Sequence, residues 1–386
     1  MRILYISSSN IGGGGSVALF NLIKGVCSLG HEVLVLTPNG HGDFITMLQS
    51  IDIQYKQLDL PLSIYPRNKN VIKNAILLIG YLCKLKICRM KVEKEIKTFN
   101  PDIVHSNVGV LNIALNACLK LNIPHVWHHR EYQDKDFNMH FFPSVKSFLK
   151  QIKSAGNYNI VITQGIFQYR GFRNGIDRII YDGVFDENSI PALKTDKENY
   201  ILFVGRIEEG KNPDEVISVF EDFHEKYPFM KLLLAGSFNP LDAYYRRCLG
   251  KVEKNGMLDS IQFLGVRKDV YELMAKAKML IMPSKFEGFG FITVEAMLNG
   301  CIVIGRNTAG TKEQFDKGLE SSGSEIGLRY TTKDELLDLM CYVMEHDTWD
   351  MQNRARKVVL NNYSLQKHVA NVLNYYHYIL SKGSSS

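Results

Sequence analysis

The chain has 386 residues, of which 45% are hydrophobic, and a formal net charge of +6 at pH 7. This length is enough for two domains with separate cores. No apolar run is long enough to span a bilayer. A secretory leader has a charged segment followed by an apolar one, whereas the first residues here predict a strand, so we expect no such leader. The cysteines number seven and form no Cys-x-x-Cys pair, which argues against a zinc site or disulfide frame and favours a cytoplasmic location.

The amino-terminal residues predict alternating buried strands and helices. A strand over Arg2–Ser7 is followed by consecutive glycines, Gly12–Gly15, and by a helix over Ser16–Leu29 with apolar residues at helical spacing. The next strand is His31–Leu36. A glycine-rich turn after a first strand also occurs in dinucleotide-binding folds, but no acidic residue follows the second strand to hold a ribose. The sequence therefore disfavours a nicotinamide cofactor.

A pair of histidines closes a later strand. A helix predicted over about Val110–Leu121 leads to the strand Ile123–Trp127, which ends in the sequence His-His-Arg-Glu. Because side chains alternate across a strand, His128 and Arg130 should lie on one side and His129 on the other.

A basic and apolar stretch extends from Arg67 to Lys97. Two interpretations stay open for it. It is either a helix that lies on an anionic membrane surface, or a long helix buried on one face with a solvated basic face. A nucleic-acid partner is disfavoured because no recognition motif accompanies the charge. Further along, Asp134-Lys135-Asp136 matches the Asp-x-Asp pattern of metal-dependent transferases, although its polar loop argues more for a solvated segment.

The carboxyl-terminal half contains loops suited to phosphate. The strand Tyr200–Val204 leads into Gly205 and a loop with two cations, Arg206 and Lys211, before a helix that Pro213 can begin. In an open parallel sheet such loops gather at the carboxyl ends of the strands, where ligands bind. A diphosphate is the ligand that best matches two cations and nearby backbone amides.

The most informative motif joins a strand to a helix. Glu287 and Glu295 have seven residues between them and bracket a glycine-aromatic-glycine turn at Gly288, Phe289 and Gly290. The glycines allow the backbone to approach a ligand, and the following helix offers unpaired N–H groups to a phosphate. The two carboxylates can accept hydrogen bonds from hydroxyl groups. One anion site between two hydroxyl-binding carboxylates predicts a sugar nucleotide.

These motifs, together with Gly265-Val266-Arg267 before a helix, resemble the donor-binding half of retaining glycosyltransferases of family 4. The resemblance covers Tyr200 to Phe315 most clearly. It implies that Arg206 and Lys211 hold the donor diphosphate. It also implies donor contacts from a set of loop and helix residues: Gly205, Arg267, Glu287, Gly288, Phe289, Gly290, Phe291 and Glu295.

In the amino-terminal half the resemblance is weaker. It implies that Gly13, Gly14 and Gly15 approach the donor phosphate or the acceptor. It also implies a histidine near the donor sugar, for which His128 is preferred over its neighbour, with a weaker acceptor-side role for His129, Arg130 and Glu131. Two departures from the family pattern are visible. The usual His-Asp or His-Gly is His-His-Arg-Glu here, and Asp182 replaces the usual asparagine.

The resemblance implies an α/β protein with the GT-B fold, in which two Rossmann-like domains with parallel sheets face a central cleft. We expect an acceptor-binding domain over 1–182, a linker over 183–199, a donor domain over 200–363, a final helix 364–381 packed on the first domain, and a disordered tail 382–386.

The expected activity is the transfer, with retention, of a hexose from a nucleotide-diphosphate donor, with UDP favoured over GDP. The expected acceptor is a hydroxyl of a lipid-linked saccharide in surface polysaccharide synthesis, at the inner membrane face. The catalytic set implied is His128, Arg206, Lys211 and Glu287, with no metal and no cofactor. Three alternatives stay open: a non-catalytic nucleotide-sugar-binding subunit, a sugar-nucleotide 2-epimerase, and a sucrose- or trehalose-type synthase.

Overall fold

The computed structural model describes residues 1–65, 71–132 and 140–383. The chain divides into two compact units. The first contains Met1–Gly183 and Leu365–Ser386, and the second contains Val184–Ser364.

The first unit is built on a seven-stranded sheet, within the described residues, in the order β3-β2-β1-β5-β6-β8-β9. All its neighbouring strands pair in parallel, while β4 and β7 form a separate antiparallel pair. The strands are β1 (Arg2–Ile6), β2 (Glu32–Pro38), β3 (Tyr55–Leu58), β4 (Ile64–Tyr65), β5 (Ile103–Asn107), β6 (His125–His129), β7 (His140–Phe141), β8 (Asn157–Val161) and β9 (Arg178–Ile179). The helices are α1 (Gly14–Ser28), α2 (Asp43–Ser50), α3 (Val71–Phe99), α4 (Leu115–Leu121), α5 (Val145–Ile152) and α6 (Gln164–Arg170).

The second unit has a six-stranded parallel sheet in the order β12-β11-β10-β13-β14-β15. Its strands are β10 (Glu198–Val204), β11 (Lys231–Ala235), β12 (Ile261–Gly265), β13 (Ala277–Met282), β14 (Val303–Arg306) and β15 (Leu328–Tyr330). Its helices are α7 (Pro213–Lys226), α8 (Ala243–Lys254), α9 (Val270–Lys276), α10 (Phe291–Leu298), α11 (Ala309–Ser322), α12 (Lys333–Glu345) and α13 (Trp349–Asn362). The central strands are buried on both faces, which explains their nearly continuous apolar runs.

The C-terminal helix α14 (Leu365–Gly383) belongs to the first unit. Val372, Tyr376 and Ile379 of this helix are fully buried in the core beneath β1 and α1. A Cβ at Gly25 of α1 would lie 2.4 Å from Val369, so the glycine permits close helix packing. The helix extends two residues into the segment predicted as a disordered tail, because its last turn still packs: the Lys382 ammonium lies 5.6 Å from the Tyr378 ring. Residues 384–386 lie outside the described residues.

The segment that the sequence predicted as a linker packs on the second unit from Val184 onward. Phe185 forms a β-bridge with Ser364. Lys197 donates to the carbonyls of Ala275 and Gly300, both at 2.7 Å. These contacts fix the segment against the second sheet before its first strand begins.

Two predicted helix starts were wrong. The first helix begins at Gly14, because the glycines that were predicted as a loop supply its first turn, with the Val17 N–H donating to the Gly13 carbonyl at 2.9 Å. The helix predicted from Val110 begins at Leu115. Residues 107–115 are all buried, so the segment lacks the alternation of buried and exposed residues that would show its irregular backbone.

Among the side chains of α3 that the structure describes, residues 76–99, the buried ones all lie in the second half of the helix. Its buried residues are Leu85, Cys88, Val92, Ile96 and Phe99. No described helix is long and apolar enough to cross a membrane.

Candidate functional site

In the second unit the strand order reverses between β10 and β13. These two strands are neighbours, but β11 and β12 follow on one side of the pair and β14 and β15 follow on the other. Ligands of open α/β sheets bind outside the carboxyl ends of the strands at such a switch point. The loop after β10 contains Arg206 and Lys211, and the loop after β13 contains Glu287. The structure therefore brings together at this place the loops that the sequence assigned to the donor.

The central contact of this site is an ion pair. The Lys211 ammonium contacts the Glu287 carboxylate, and both side chains are largely buried. The two loops are also tied through their backbones, because the Lys285 N–H donates to the Gly210 carbonyl at 3.3 Å. Arg206 is more exposed and pairs with Glu208 of its own loop at 2.9 Å. Lys211 is thus held beside a carboxylate, whereas Arg206 can turn toward a ligand.

The turn before α10 adopts the backbone that its glycines predicted. Gly290 has φ +82° and immediately precedes the helix, whose first amides have no partner within it. Phe289 is buried, so this residue can offer a ligand only its backbone. Gln314 donates to the carbonyls of Phe289 and Gly290. A Cβ at Gly310 would lie 2.7 Å from the Phe289 carbonyl, so this glycine lets α11 brace the turn.

The second glutamate of the motif meets a tyrosine. The Tyr271 hydroxyl donates to Glu295 at 3.1 Å, and burial raises the pKa of Glu295 while this hydrogen bond opposes the rise. Nearby, Arg267 forms a two-hydrogen-bond pair with Asp269 at 2.8 and 2.7 Å. The pair lowers the pKa of Asp269 through its hydrogen bonds to the guanidinium. The carboxylate of Glu295 is therefore held in place by Tyr271, and the charge of Arg267 is balanced by Asp269.

Sequence reasoning missed a structural ion pair beneath the phosphate loop. Arg306 at the end of β14 contacts the buried carboxylate of Glu215 on α7. Asn212, which is adjacent to Lys211, donates to the same carboxylate at 2.7 Å. The pair thus fixes the end of the cationic loop. The partner of Arg306 lies 91 residues away in the sequence, so no local pattern indicates this pair.

In the first unit, the strand order reverses between β1 and β5. Gly13, Gly14 and Gly15 lie there, at the start of α1. The Asn107 side chain donates to the Gly15 carbonyl at 3.3 Å, and a Cβ on Gly15 would contact Arg130 at 3.6 Å. The glycine turn and the end of the histidine strand are therefore neighbours.

The two histidines of the doublet have different surroundings. His129 is buried among aromatic rings, with its Nε2 3.0 Å from the Asn159 Oδ1, and burial lowers its pKa to about 3. His128 lies on the side of Arg130, as strand alternation predicted, and its Nδ1 is 3.2 Å from the Nε2 of His105. Its Nε2 is buried without a hydrogen-bond partner among the described residues.

Arg130 and Asp182 form a buried ion pair, in which 3% and 0% of the side chains are exposed. Asp182 is one departure from the family pattern, and Arg130 belongs to the His-His-Arg-Glu sequence that forms another. Arg130 also donates to Asn107 at 2.8 Å. His368 of α14 adds a third group, with its Nε2 3.8 Å from Asp182. The two departures are therefore explained by each other, and Arg130 and His129 are buried rather than presented at a surface.

No group of three or more metal-ligating side chains is present in the described part of the chain. The Asp-x-Asp sequence at 134–136 lies outside the described residues. Glu131 is partly buried at the end of the histidine strand. The cysteines, seven in all, are free.

Two family models match consecutive parts of the chain. "Glycosyltransferase Family 4" matches residues 12–184, and "Glycosyl transferases group 1" matches residues 184–357. The chain belongs to the group 1 glycosyltransferases. The resemblance to family 4 glycosyltransferases, which rested mainly on the motifs of the second unit, is confirmed.

Curated relatives are distant. An uncharacterised glycosyltransferase of Methanocaldococcus jannaschii is 29% identical over 276 residues, which are 68% of this chain and 71% of that protein. The trehalose synthase of Pyrococcus horikoshii is 27% identical over 45% of this chain and 42% of that protein. The N-acetyl-alpha-D-glucosaminyl L-malate synthase of Bacillus anthracis is 25% identical over 48% of this chain. The matches to these last two cover less than half of their length, 42% and 47%.

Solved structures share the fold over nearly the whole chain. HepE of Anabaena in complex with UDP has a TM-score of 0.77 and 19% identity, and the match covers 97% of this chain and 100% of that one. A glycosyltransferase of Rickettsia africae has a TM-score of 0.76 and 18% identity, with 98% of each chain covered. The predicted GT-B fold, with two parallel-sheet Rossmann-like domains, is confirmed.

Proposed function

We propose that this glycosyltransferase is a retaining enzyme that transfers a hexose from a UDP-sugar to a hydroxyl of a lipid-linked saccharide during surface polysaccharide synthesis. The observation that carries the proposal is the Lys211–Glu287 pair at the switch point of the second sheet, beside the start of α10. UDP is favoured as the carrier because HepE, which shares the fold, was solved with UDP.

In the proposed reaction, the bond between the anomeric carbon and the diphosphate oxygen breaks, and the acceptor oxygen bonds to the same face of that carbon. The acceptor proton passes to the leaving phosphate. Lys211, Arg206 and the first amides of α10 stabilise the negative charge that develops there, in a site whose donors are already in place. Glu287 and Glu295 accept hydrogen bonds from sugar and ribose hydroxyls. The residues present supply cations to the diphosphate without a metal or cofactor.

The donor assignment is tested with UDP-, GDP-, ADP- and dTDP-sugars. We expect one donor to raise the melting temperature of the protein and to be slowly hydrolysed. Lys211→Met should lower turnover about 10²- to 10³-fold, the loss seen when one group that stabilises charge in the transition state is removed. Glu287→Gln should also lower turnover, because it weakens the acceptor for the sugar hydroxyls. The control is Lys312→Met, which removes a lysine from an exposed pair with Asp316 and should leave turnover unchanged.

Four results would contradict this assignment. Binding of no donor would refute the site. Binding without turnover, even with lipid acceptors added, would favour a non-catalytic subunit, and conversion of the free donor to its 2-epimer would identify an epimerase. Transfer to free glucose in preference to lipid-linked saccharide would favour a trehalose-type synthase, the function named for the Pyrococcus relative.

The membrane part of the proposal rests on helix α3. Ile76, Ile79, Ile87 and Met90 are 55–66% exposed. At about 100° per residue they follow one stripe on the face opposite the buried residues of the helix. Exposed lysines flank this stripe: Lys84, Lys86, Lys91 and Lys94. Apolar and basic side chains on one exposed face match an anionic lipid surface.

Vesicle binding tests this surface. We expect the protein to sediment with phosphatidylglycerol-containing vesicles and much less with pure phosphatidylcholine. The substitution of Ile76, Ile79 and Ile87 by serine should weaken the partition more than about tenfold, because each exposed apolar side chain that enters the bilayer contributes about 1.5 kcal/mol or more. Leu241→Ser, at a leucine of the second unit that is 76% exposed, is the control. Equal binding of the variant and the wild type would refute the role of α3.

A further inference from the structure

The two glutamates that bracket the glycine turn have partners of different charge. Glu287 contacts the ammonium of Lys211, which is a full positive charge. Glu295 instead accepts a hydrogen bond from the Tyr271 hydroxyl, with 3.1 Å between the oxygens. Burial, followed by the charge of Glu295, raises the pKa of Tyr271, so the phenol keeps its proton and stays neutral. The partner of Glu295 therefore orients its carboxylate without balancing its charge.

Cations on the neighbouring elements have other partners. Helices α9 and α13 and strand β14 pack against α10, which contains Glu295. Burial raises the pKa of Glu295, and among the described residues the hydrogen bond from Tyr271 opposes this rise. The following cations of these elements are engaged elsewhere: Arg356 with the carbonyls of Leu298 and Pro191, Arg306 with Glu215, and Lys276 with Glu272 and Glu198.

The Glu295 carboxylate has hydrogen-bonding capacity left for a ligand. Its Oε1 accepts from Tyr271, whereas its Oε2 has no partner among the described residues and is not enclosed by them. An ionised carboxylate can accept several hydrogen bonds through its two oxygens, and bonds to a charged acceptor are stronger than those between neutral groups. A partly buried carboxylate without a cation therefore gains most from a ligand with two hydroxyl donors, such as a cis-diol.

The place of Glu295 on its helix matches one half of a ribonucleotide. The first amides of α10 are open to a phosphate, and Glu295 is the fifth residue of this helix. Four residues of helix span about 6 Å along the axis. A ribonucleotide carries its phosphate on one side of the ribose and its 2′- and 3′-hydroxyls on the other. A 2′-deoxyribonucleotide has the same phosphate but offers the carboxylate one hydroxyl fewer.

We propose that Tyr271 is a positioning residue that holds the Glu295 carboxylate toward the ribose diol of the donor, so that the enzyme selects ribonucleotides over 2′-deoxyribonucleotides. The identity of the ligand rests on the proposed function. Tyr271 acts through Glu295 and does not touch the reacting atoms. Because the phenol is a neutral donor, it fixes one oxygen and leaves the negative charge for the ligand. UDP-sugars should accordingly be better donors than dTDP-sugars.

Calorimetric titrations of the full-length protein with UDP and with 2′-deoxy-UDP test this selection. We expect the wild type to bind UDP about tenfold or more tightly than 2′-deoxy-UDP, the ratio that corresponds to one hydrogen bond to a charged group. Tyr271→Phe should weaken UDP binding about three- to tenfold and shrink the ratio of the two affinities at least about threefold. Tyr271 is 48% exposed, so the loss of its hydroxyl leaves the core packing unchanged.

Tyr227→Phe is the matched control. The Tyr227 hydroxyl donates to Glu345 at 2.9 Å, so this variant also removes one tyrosine–glutamate hydrogen bond of the second unit. It should leave both affinities unchanged. A ratio of affinities in Tyr271→Phe equal to that of the wild type would show that Tyr271 only joins α9 to α10. Equal binding of the two nucleotides by the wild type would likewise overturn the proposal.

A measurement without nucleotide separates the positioning role from the proposed function. The pKa of Glu295 is followed by NMR of protein with ¹³C at the glutamate carboxyl carbons, and Glu295→Gln identifies the signal. Tyr271→Phe should raise this pKa, because the lost hydrogen bond favours the ionised form. An unchanged pKa would refute the positioning role. A raised pKa in a protein whose wild type binds neither nucleotide would instead refute the proposed function and the selection of ribose.

Discussion

Acidification from about pH 7 to about pH 4 is expected to remove about 6 kcal/mol of unfolding free energy through two histidines alone. Burial lowers the pKa of His125 from 6.5 to about 4 and that of His129 to about 3. Hydrogen bonds to Asn157 and Asn159 oppose the shifts only in part. His105, His128 and His368 are also buried with lowered pKa values and act in the same direction.

Unfolding becomes easier at low pH because the unfolded chain binds protons at a higher pH than the native protein does. In the unfolded chain a histidine takes up its proton as the pH falls through about 6.5, whereas the native rings resist protonation until the pH is much lower. The stabilisation is therefore complete above that pH and is lost progressively below it. Because whole domains have only about 5–15 kcal/mol of stability, we expect acid unfolding of the first unit well above pH 3.

Denaturant titrations at a series of pH values check this expectation. His125→Gln keeps a polar side chain between Ser106 and Asn157 but does not titrate, so it should reduce the loss at pH 4 by about 3 kcal/mol. His41→Gln changes an exposed histidine and should leave the pH dependence unchanged. A pH dependence that is the same in His125→Gln and the wild type would show that this histidine is not held neutral by burial.

Local patterns in the sequence were sufficient for several strands of the two sheets and for the donor loops. Tyr200–Val204 was predicted as a strand from its apolar run, and the structure places it within β10. Because parallel strands end at one edge of the sheet, the loops with Lys211 and Glu287 had to be neighbours, and they are in contact. Gly290 has a positive φ, a backbone conformation that glycine adopts without steric cost.

Contacts between distant parts of the chain could not be predicted in this way. His105 lies in the middle of β5, and its contact with Tyr376 spans 271 residues. A periodic apolar pattern shows that both side chains face inward, but it does not say which inward-facing residues meet. Such contacts are properties of the fold that local sequence patterns do not contain.

One long-range contact did leave a trace in the sequence. The family pattern has His-Asp or His-Gly at the end of this strand and an asparagine at position 182, whereas this chain has His-His-Arg-Glu and Asp182. An added cation at Arg130 and an added anion at Asp182 balance each other in charge. A pair of opposite departures is therefore a sign of contact even without an alignment, and the structure shows the two side chains bonded in the core.

Breaking this ion pair from one side is expected to cost about 3–5 kcal/mol of unfolding free energy, because the remaining charge stays buried without its partner. Asp182→Asn restores the family's residue but leaves the guanidinium of Arg130 unpaired. Arg130→Met leaves the carboxylate, with only His368 nearby at 3.8 Å. The double substitution removes both charges, so its stability should return to within about 1 kcal/mol of the wild type.

A double-mutant cycle measured by chemical denaturation tests whether Arg130 and Asp182 stabilise the protein as a pair. The control is Glu32→Gln, which breaks the exposed pair with Arg2 and should cost less than about 1 kcal/mol. Additive losses in the double variant would mean that Arg130 and Asp182 act separately. Recovery would show that the two departures compensate each other, and that Arg130, which also contacts Asn107 and His128, is a structural cation of the first unit. The family's residues at 130 and 182 would then be exchangeable only as a pair.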